Sequence, residues 1–195
     1  MKKTIENIIN SSITAKKKLI ESELGNLEKA VQVVEDCISK GGKLLLFGNG
    51  GSAADSQHIA AEFVGRFKLE RKAVPALALT TNTSTITALS NDYGYDISFK
   101  RQLEAFGARG DVAIAISTSG NAKNVLEAVK EAKEKGMKTI ALTGKGGGAL
   151  LKLCDVSIVV ASDDTARIQE THILIGHIIA EIAESDIFRK NNGKR

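Results

Sequence analysis

The sequence predicts an α/β protein in which helices cover both faces of a parallel β-sheet. Five short and nearly unbroken apolar runs recur along the chain, and segments with helical periodicity separate most of them. Loops rich in glycine, serine, threonine and asparagine follow these runs. Continuous apolar strands are typical of sheets buried on both faces, and their alternation with helices is typical of parallel connections. Because ligands of such folds bind beyond the carboxyl ends of the strands, we expect a site among these loops.

The first 40 residues have helical character. Ile5, Ile8, Ile9 and Ile13 recur at helical spacing, and residues 27–38 repeat that pattern before a pair of glycines. We therefore predict two helices and interpret residues 1–40 as an N-terminal helical arm. The first helix is expected to pack on a partner subunit.

The remaining elements follow in order. Strands are predicted at residues 43–47, 73–79, 111–117, 138–143 and 155–160, and helices at residues 52–67, 122–135 and 166–185. The only proline is Pro75, and no repeat or Pro-rich linker divides the sequence. Residues 1–195 are therefore predicted to form a single domain.

Composition argues against several classes of protein. The net charge of +4 is spread along the chain, aromatic residues make up 4%, and no tryptophan is present, so neither a basic stripe nor a base-stacking surface is evident. The longest apolar runs fall far short of the about 20 residues that a membrane span requires. Cys37 and Cys154 lie far apart without CxxC spacing, which is typical of reduced thiols. We expect a cytoplasmic protein that binds neither nucleic acid nor membranes.

Two loops at strand-to-helix junctions are candidate phosphate-binding loops. They are residues 49–52 (NGGS) and residues 117–121 (STSGN). Glycine lets the backbone approach an anion, and hydroxyl groups and helix N-terminal N–H groups then donate hydrogen bonds to it. Ordinary helix capping explains either loop equally well, but two such loops on one sheet edge favour an anion site. Neither loop has a nucleotide-binding pattern, and residues 144–148 are interpreted as a turn.

His58 and Glu62 are four residues apart on a predicted helix and therefore share one face. Such a pair can chelate a metal or act as acid and base, although an isolated pair is more often a surface ion pair. A sugar isomerase needs a base that moves a proton between adjacent carbons and a phosphate site that orients the substrate. Spacing alone does not distinguish this reaction from other sugar-phosphate chemistry.

Four motifs carry a resemblance to a known family. They are residues 48–55 (GNGGSAAD), 91–94 (NDYG), 116–121 (ISTSGN) and 165–170 (TARIQE). Together they resemble the bacterial phosphoheptose isomerases, which belong to the sugar isomerase (SIS) domain superfamily. The resemblance implies a flavodoxin-like three-layer sandwich with a five-stranded parallel sheet. It also implies a homotetramer with sites at subunit interfaces.

The resemblance further implies an activity and roles for individual residues. The reaction would convert D-sedoheptulose 7-phosphate to D-glycero-D-manno-heptose 7-phosphate through an enediol, the first step towards nucleotide-activated heptose. The phosphate would be held by Ser52, Ser117, Thr118 and Ser119. The sugar would contact Asn49, Gly50, Gly51, Glu62, Asn91, Asp92 and Gln169. One zinc ion per subunit would be surrounded by His58, Glu62, Gln169 and His177, and Glu62 and His177 would form the catalytic acid–base pair.

Two positions depart from the family pattern. Ala122 stands where the family often has a further serine, and Ala166 stands where some members have an acidic residue. A physical difficulty also affects the zinc set, because Gln169 and His177 are eight residues, about 12 Å, apart along one predicted helix. Direct ligation by both would need a bend or a neighbouring subunit; otherwise Gln169 serves the substrate.

Two alternative functions remain at this point. The first is a non-catalytic SIS protein of the replication-initiator-associating kind, but such paralogues lack the acid at the Glu62 position and the histidine at the His177 position. The second is an SIS enzyme or sensor for another phosphosugar, such as an amino sugar or a pentose. The Asn91–Asp92 pair favours the heptose group, although the loops do not encode the number of carbons.

Overall fold

A computed structural model describes residues 1–189, so residues 190–195 of the predicted single domain lie outside the described part. Its strands are β1 (Leu44–Gly48), β2 (Ala76–Ala78), β3 (Val112–Ser117), β4 (Lys138–Gly144) and β5 (Val156–Val160). All neighbouring strands are parallel, in the order β2-β1-β3-β4-β5. This is the strand order of flavodoxin-like folds, and the predicted fold class is therefore confirmed.

Helices cover both faces of the sheet. They are α1 (Lys2–Ser22), α2 (Leu24–Ser39), α3 (Gly51–Val64), α4 (Thr83–Tyr93), α5 (Ser98–Phe106), α6 (Lys123–Glu134), α7 (Leu150–Leu153) and α8 (Thr165–Glu184). No helix within residues 1–189 has the length and apolarity that crossing a bilayer would require. Helices α1, α2, α3 and α8 pack on one face and α5, α6 and α7 on the other, because alternate strand residues point to opposite cores.

Three differences from the predicted elements have physical causes. Helix α3 ends at Val64 rather than at residue 67, because Gly65 leaves the helical conformation. Strand β2 is shorter than predicted, since Pro75 offers no N–H to a strand partner and Val74 N–H bonds to the carbonyl of Phe63 instead. Helices α4, α5 and α7 are absent from the prediction, because α4 buries no residue and α5 and α7 span only nine and four residues.

The N-terminal segment divides into two parts. Helix α2 buries Leu27, Val31 and Val34 in the main core, so it belongs to the layer that covers the sheet. The first half of α1 is different, because Ile5, Ile8 and Ile9 are each about half exposed. Residues 1–40 therefore combine a core helix with an apolar helix end that faces outward.

Candidate active site

The candidate site begins in a crevice between the carboxyl ends of β1 and β3. These neighbouring strands lead into helices on opposite faces of the sheet, α3 after β1 and α6 after β3. Such a switch point is where ligands bind in doubly wound folds. A cavity of about 140 Å³ opens here and is lined by Asn49, Ser52, Ile116, Ser117, Thr118, Ser119, Ala122 and Gln169.

The four residues predicted to hold phosphate all line this cavity, and none of the lining side chains carries a formal charge. The cavity lies at the N-terminal ends of α3 and α6, whose unpaired N–H groups and dipoles favour an anion. Gly48 permits the close approach of the two loops, since a Cβ there would overlap the carbonyl of Ile116. The cavity thus offers hydroxyl, amide and backbone donors, which suit a phosphate group.

The glycine-rich turn at residues 144–148 supports the second phosphate loop. Gly144 N–H donates to the carbonyl of Thr118 at 3.1 Å, and Leu150 N–H donates to the carbonyl of Gly120 at 3.1 Å. Gly120 has a φ of +66°, and a Cβ on it would overlap the carbonyl oxygen of Gly147. The predicted turn is therefore also the structure against which residues 117–121 are held.

Asn49 is held by two residues that the sequence did not identify. Tyr95 donates its hydroxyl hydrogen to Asn49 Oδ1 at 2.8 Å, and Asn49 exchanges amide hydrogen bonds of 2.9 Å with Asn124. Asn124 is buried at the start of α6, whereas Tyr95 is half exposed. These partners are 75 and 46 residues away from Asn49, so no local pattern could have revealed them.

Asn91 and Asp92 lie at the exposed end of α4, outside the cavity lining. Asn91 donates to Asp92 Oδ1 at 2.9 Å, and the segment that follows carries Tyr95. The structure therefore connects these two residues to the cavity through Tyr95 and Asn49. Their direct contact with a sugar stays a prediction.

Three predicted site residues form a compact cluster further along α3. His58 Nε2 lies 3.2 Å from Glu62 Oε1 and 3.0 Å from His177 Nε2 on α8. The ring of Phe67 lies 5.5 Å from that of His177 between centroids. The side chain of His58 is about half exposed and that of Glu62 about one-quarter exposed. The cluster is thus accessible from solvent and combines a carboxylate with two imidazoles, which is suitable equipment for proton transfer.

The same cluster has the donor set of a zinc site. Ligand atoms of His58, Glu62 and His177 lie within 4.8 Å of one another. Two imidazole nitrogens and one carboxylate oxygen are the ligands of many catalytic zinc ions, with a fourth position left for substrate. Gln169 lies towards the phosphate end, where it lines the cavity and contacts Gly51. Its predicted role as a zinc ligand stays a prediction.

Close packing of α3 on α8 brings the two histidines together. Gly176, the residue before His177, faces Ile59, the residue after His58, and a Cβ on Gly176 would overlap the Ile59 side chain. The missing side chain allows the two helices to approach one another at this level.

Two further titratable groups border the site. Asp55 lies one turn before His58, and burial raises the pKa of its carboxyl to about 6, partly offset by the nearby His58. His172 is fully buried, and its Nε2 lies 3.0 Å from the carbonyl oxygen of Thr143. Burial lowers the pKa of His172 to about 4, only partly offset by that hydrogen bond. His172 is therefore a neutral core residue and is not a member of the cluster.

The fold and the hydroxyl-lined crevice define a protein of the SIS domain class, and the family model described as SIS domain matches residues 9–144. The phosphoheptose isomerase of Clostridium acetobutylicum is 53% identical over 190 residues, which cover 96% of this chain and 97% of that protein. That of Campylobacter jejuni is 57% identical over 166 residues, covering 84% and 89%. The solved structure of the Neisseria gonorrhoeae phosphoheptose isomerase matches with a TM-score of 0.90 at 43% identity, covering 94% of this chain and 98% of that one.

The chain therefore belongs to the phosphoheptose isomerases of the SIS domain family, as its four motifs predicted. The predicted enzyme class is confirmed with the family.

Proposed function

We propose that the chain converts D-sedoheptulose 7-phosphate to D-glycero-D-manno-heptose 7-phosphate. This is the first step of nucleotide-activated heptose synthesis, which supplies surface glycans such as lipopolysaccharide. The observation that carries the proposal is that α3 and α8 each contribute both to the uncharged cavity, through Ser52 and Gln169, and to the His58–Glu62–His177 cluster. Ser52 and His58 are six residues, about 9 Å, apart along α3, which separates the two parts by the length of several sugar carbons.

The proposed mechanism assigns the proton transfers to Glu62 and His177. With the phosphate fixed in the cavity, Glu62 removes a proton from C1 of the ketose and returns it at C2 of the enediol. His177 transfers the hydroxyl proton between O1 and O2, so the reaction needs no other reactant. Binding the remote phosphate contributes to the rate because it orients these carbons beside the two groups.

Zinc is the proposed cofactor, with one ion per subunit. His58, Glu62 and His177 would each hold it through one atom, with Gln169 as the fourth predicted ligand, which leaves Glu62 a second oxygen and His177 a second ring nitrogen for the proton transfers. When bound, the ion would polarise the sugar oxygens and stabilise negative charge on the enediol. Metal analysis after purification without chelator should find about one zinc per chain. Full activity after thorough chelation would remove zinc from the mechanism.

The reaction itself is tested by incubating the purified, zinc-loaded protein with sedoheptulose 7-phosphate in D₂O. NMR should detect the aldose product with deuterium at C2, because the proton that Glu62 holds while the enediol exists exchanges with the solvent. A pentose phosphate and an amino-sugar phosphate serve as parallel substrates. Absence of heptose product, or faster turnover of either parallel substrate, would contradict the proposal.

We further propose a cytoplasmic homotetramer with sites at its subunit interfaces. The exposed stripe of Ile5, Ile8, Ile9 and Ile13 on α1 supports self-association, because such apolar patches on folded proteins mark interaction sites. The unpaired Cys37 and Cys154 support a reducing compartment. Light scattering should give four times the chain mass of 20.7 kDa, and Ile9→Glu should lower it. A monomeric wild-type protein would contradict the tetramer.

A further inference from the structure

A buried ion pair joins the C-terminal end of α8 to the segment that follows α3, near the His58–Glu62–His177 cluster. Arg71 Nε lies 3.0 Å from Glu184 Oε1, and both side chains are only 2% exposed. Glu184 ends α8, and Arg71 lies in the irregular segment that follows α3. Burying two charges is costly unless hydrogen bonds satisfy their remaining atoms, so the partners of this pair show what it organises.

The carboxylate of Glu184 accepts three consecutive backbone hydrogen bonds. The N–H groups of Phe67, Lys68 and Leu69 donate to it at 2.9, 2.6 and 2.8 Å. Burial alone would raise the pKa of Glu184, but these donors and Arg71 hold it below its ordinary value. The charged carboxylate therefore fixes the path of residues 67–69.

The guanidinium of Arg71 binds the end of α3 in the same way. Its Nη1 donates to the carbonyls of Phe63 at 2.8 Å, Gly65 at 3.0 Å and Lys72 at 3.0 Å. Its Nη2 donates to the carbonyl of Glu62 at 2.8 Å. Arg71 thus holds the last turn of α3, including the backbone of the residue proposed as the base.

Both halves of the pair reach the cluster. Arg71 holds the backbone of Glu62, while Glu184 holds the backbone of Phe67, whose ring lies 5.5 Å from that of His177. One buried pair therefore supports the two groups that proton transfer requires, from two different elements. Such groups need close positional control, since a misplacement of about 1 Å can cost about a hundredfold in rate.

We propose that Arg71 and Glu184 are positioning residues of the acid–base site. They fix the last turn of α3, which carries Glu62, and hold Phe67 beside the ring of His177. The inference rests on the proposed function for the chemical roles of Glu62 and His177. A pair that only stabilised the fold would not affect the proton-transfer step selectively.

Asp111 provides a matched control. Its side chain is 5% exposed and accepts hydrogen bonds from the backbone N–H groups of Lys43 and Ala108 and from the Lys43 ammonium. It lies just before β3, at the opposite edge of the sheet from the cavity. Asp111→Asn and Glu184→Gln therefore both neutralise a buried, ion-paired carboxylate, and only the second lies beside the cluster.

The experiment compares Glu184→Gln and Arg71→Lys with Asp111→Asn in the zinc-loaded enzyme. Glu184→Gln and Arg71→Lys should lower kcat about tenfold or more and leave KM within about threefold, because the phosphate cavity is untouched. Asp111→Asn should leave kcat within about twofold at a comparable loss of melting temperature. Equal kcat in folded Glu184→Gln and Asp111→Asn would overturn the proposal.

Imidazole NMR signals of His58 and His177 give a readout independent of the substrate. They should shift in Glu184→Gln and stay in place in Asp111→Asn, even if the wild-type protein fails to isomerise the heptose phosphate. That failure would contradict the proposed function alone, whereas unshifted signals would contradict the positioning role. If Glu184→Gln does not fold, Arg71→Lys applies the same test from the other half of the pair, and unchanged kcat and signals there would overturn the proposal.

Discussion

The phosphate cavity and the His58–Glu62–His177 cluster share two helices but are built in different ways. The cavity is formed by loop backbone and neutral side chains, most of them within two short stretches of sequence. The cluster is formed by single side chains that meet across 119 residues through the packing of α3 on α8. The geometry of the proposed phosphate site is therefore encoded locally, whereas that of the proposed proton-transfer site depends on the tertiary structure. Substitutions in the cavity should therefore change KM, and substitutions in the cluster should change kcat.

The largest expected effect is that of Glu62→Gln, which removes the proposed base and keeps the size of the side chain. We expect kcat to fall about a thousandfold, within the usual range for a lost general base, while KM stays within about threefold. Glu70→Gln is the control, because Glu70 is a largely exposed carboxylate that pairs with Arg66. Steady-state kinetics measure both constants. A Glu62→Gln enzyme that keeps most of the wild-type rate would remove Glu62 from the mechanism.

His172 and His177 lie five residues apart on α8, but only His177 belongs to the cluster. His172 is a buried residue whose expected effect is on stability. The pKa of His172 is lowered to about 4 in the folded protein, so between about pH 6.5 and pH 4 the unfolded chain binds more protons. The free energy of unfolding should therefore decrease as the pH falls through this window, by about 3 kcal/mol in total.

His172→Gln should lose this pH dependence and keep kcat within about threefold, because His172 is not a member of the cluster. Asp55 has the opposite effect on the pH dependence of the free energy of unfolding. It is present in both the wild-type protein and His172→Gln, so its contribution cancels in the difference between them. Urea unfolding at pH 7 and pH 4.5 measures that difference. Parallel pH profiles for the two proteins would show that His172 does not titrate as its burial requires.

Ser52→Ala tests the cavity end with a smaller expected effect. Loss of one hydrogen bond to a charged phosphate should raise KM about tenfold and leave kcat within about threefold. Ser56→Ala is the matched control, because Ser56 is buried one turn further along α3 and donates its hydroxyl hydrogen to the carbonyl of Ser52. Inhibition by inorganic phosphate should weaken in parallel with KM. Equal KM values in the two variants would exclude a phosphate contact by Ser52.

Ala122→Ser should produce the smallest effect, which is an increase in stability and in affinity for phosphate. Ala122 lines the cavity and is also the N-cap of α6, where it makes no side-chain capping bond. A serine there should stabilise the helix by about 1 kcal/mol and tighten phosphate binding about threefold. Calorimetry measures the melting temperature and the affinity for inorganic phosphate separately. A higher melting temperature with unchanged affinity would mean that the new hydroxyl caps the helix and does not reach the ligand.

The sequence predicted the sheet well, because its strands are buried on both faces and leave continuous apolar runs. It missed α4, which is rich in serine and threonine and in which every residue is at least partly exposed. The N-cap of this helix is Asn82, whose side chain accepts a hydrogen bond from Thr85 N–H. That capping bond is local, but an asparagine is equally common in loops.

The residues that line the cavity could be predicted for a similar reason. Glycines and hydroxyl residues at strand ends are constrained by their immediate neighbours, so the short motif contains most of the information. Tyr95 and Asn124 could not be predicted, because their roles arise only when Asn49 is placed beside them. The Arg71–Glu184 pair is equally hidden, since most of what it binds is backbone, which has no sequence signature.

Gly176 has a consequence for how this part of the chain can vary. Amino acids differ in side-chain size by whole atoms, and the spacing of two packed helices depends on the side chains between them. Glycine has no side chain and therefore allows the smallest spacing. Glycine at position 176 sets α8 at that smallest spacing from α3, against Ile59. A larger side chain there would require Ile59 to change rotamer or α8 to move away from α3, and the second outcome would separate His177 from His58. Substitutions at position 176 can therefore only widen the distance between the two histidines of the cluster or leave it unchanged.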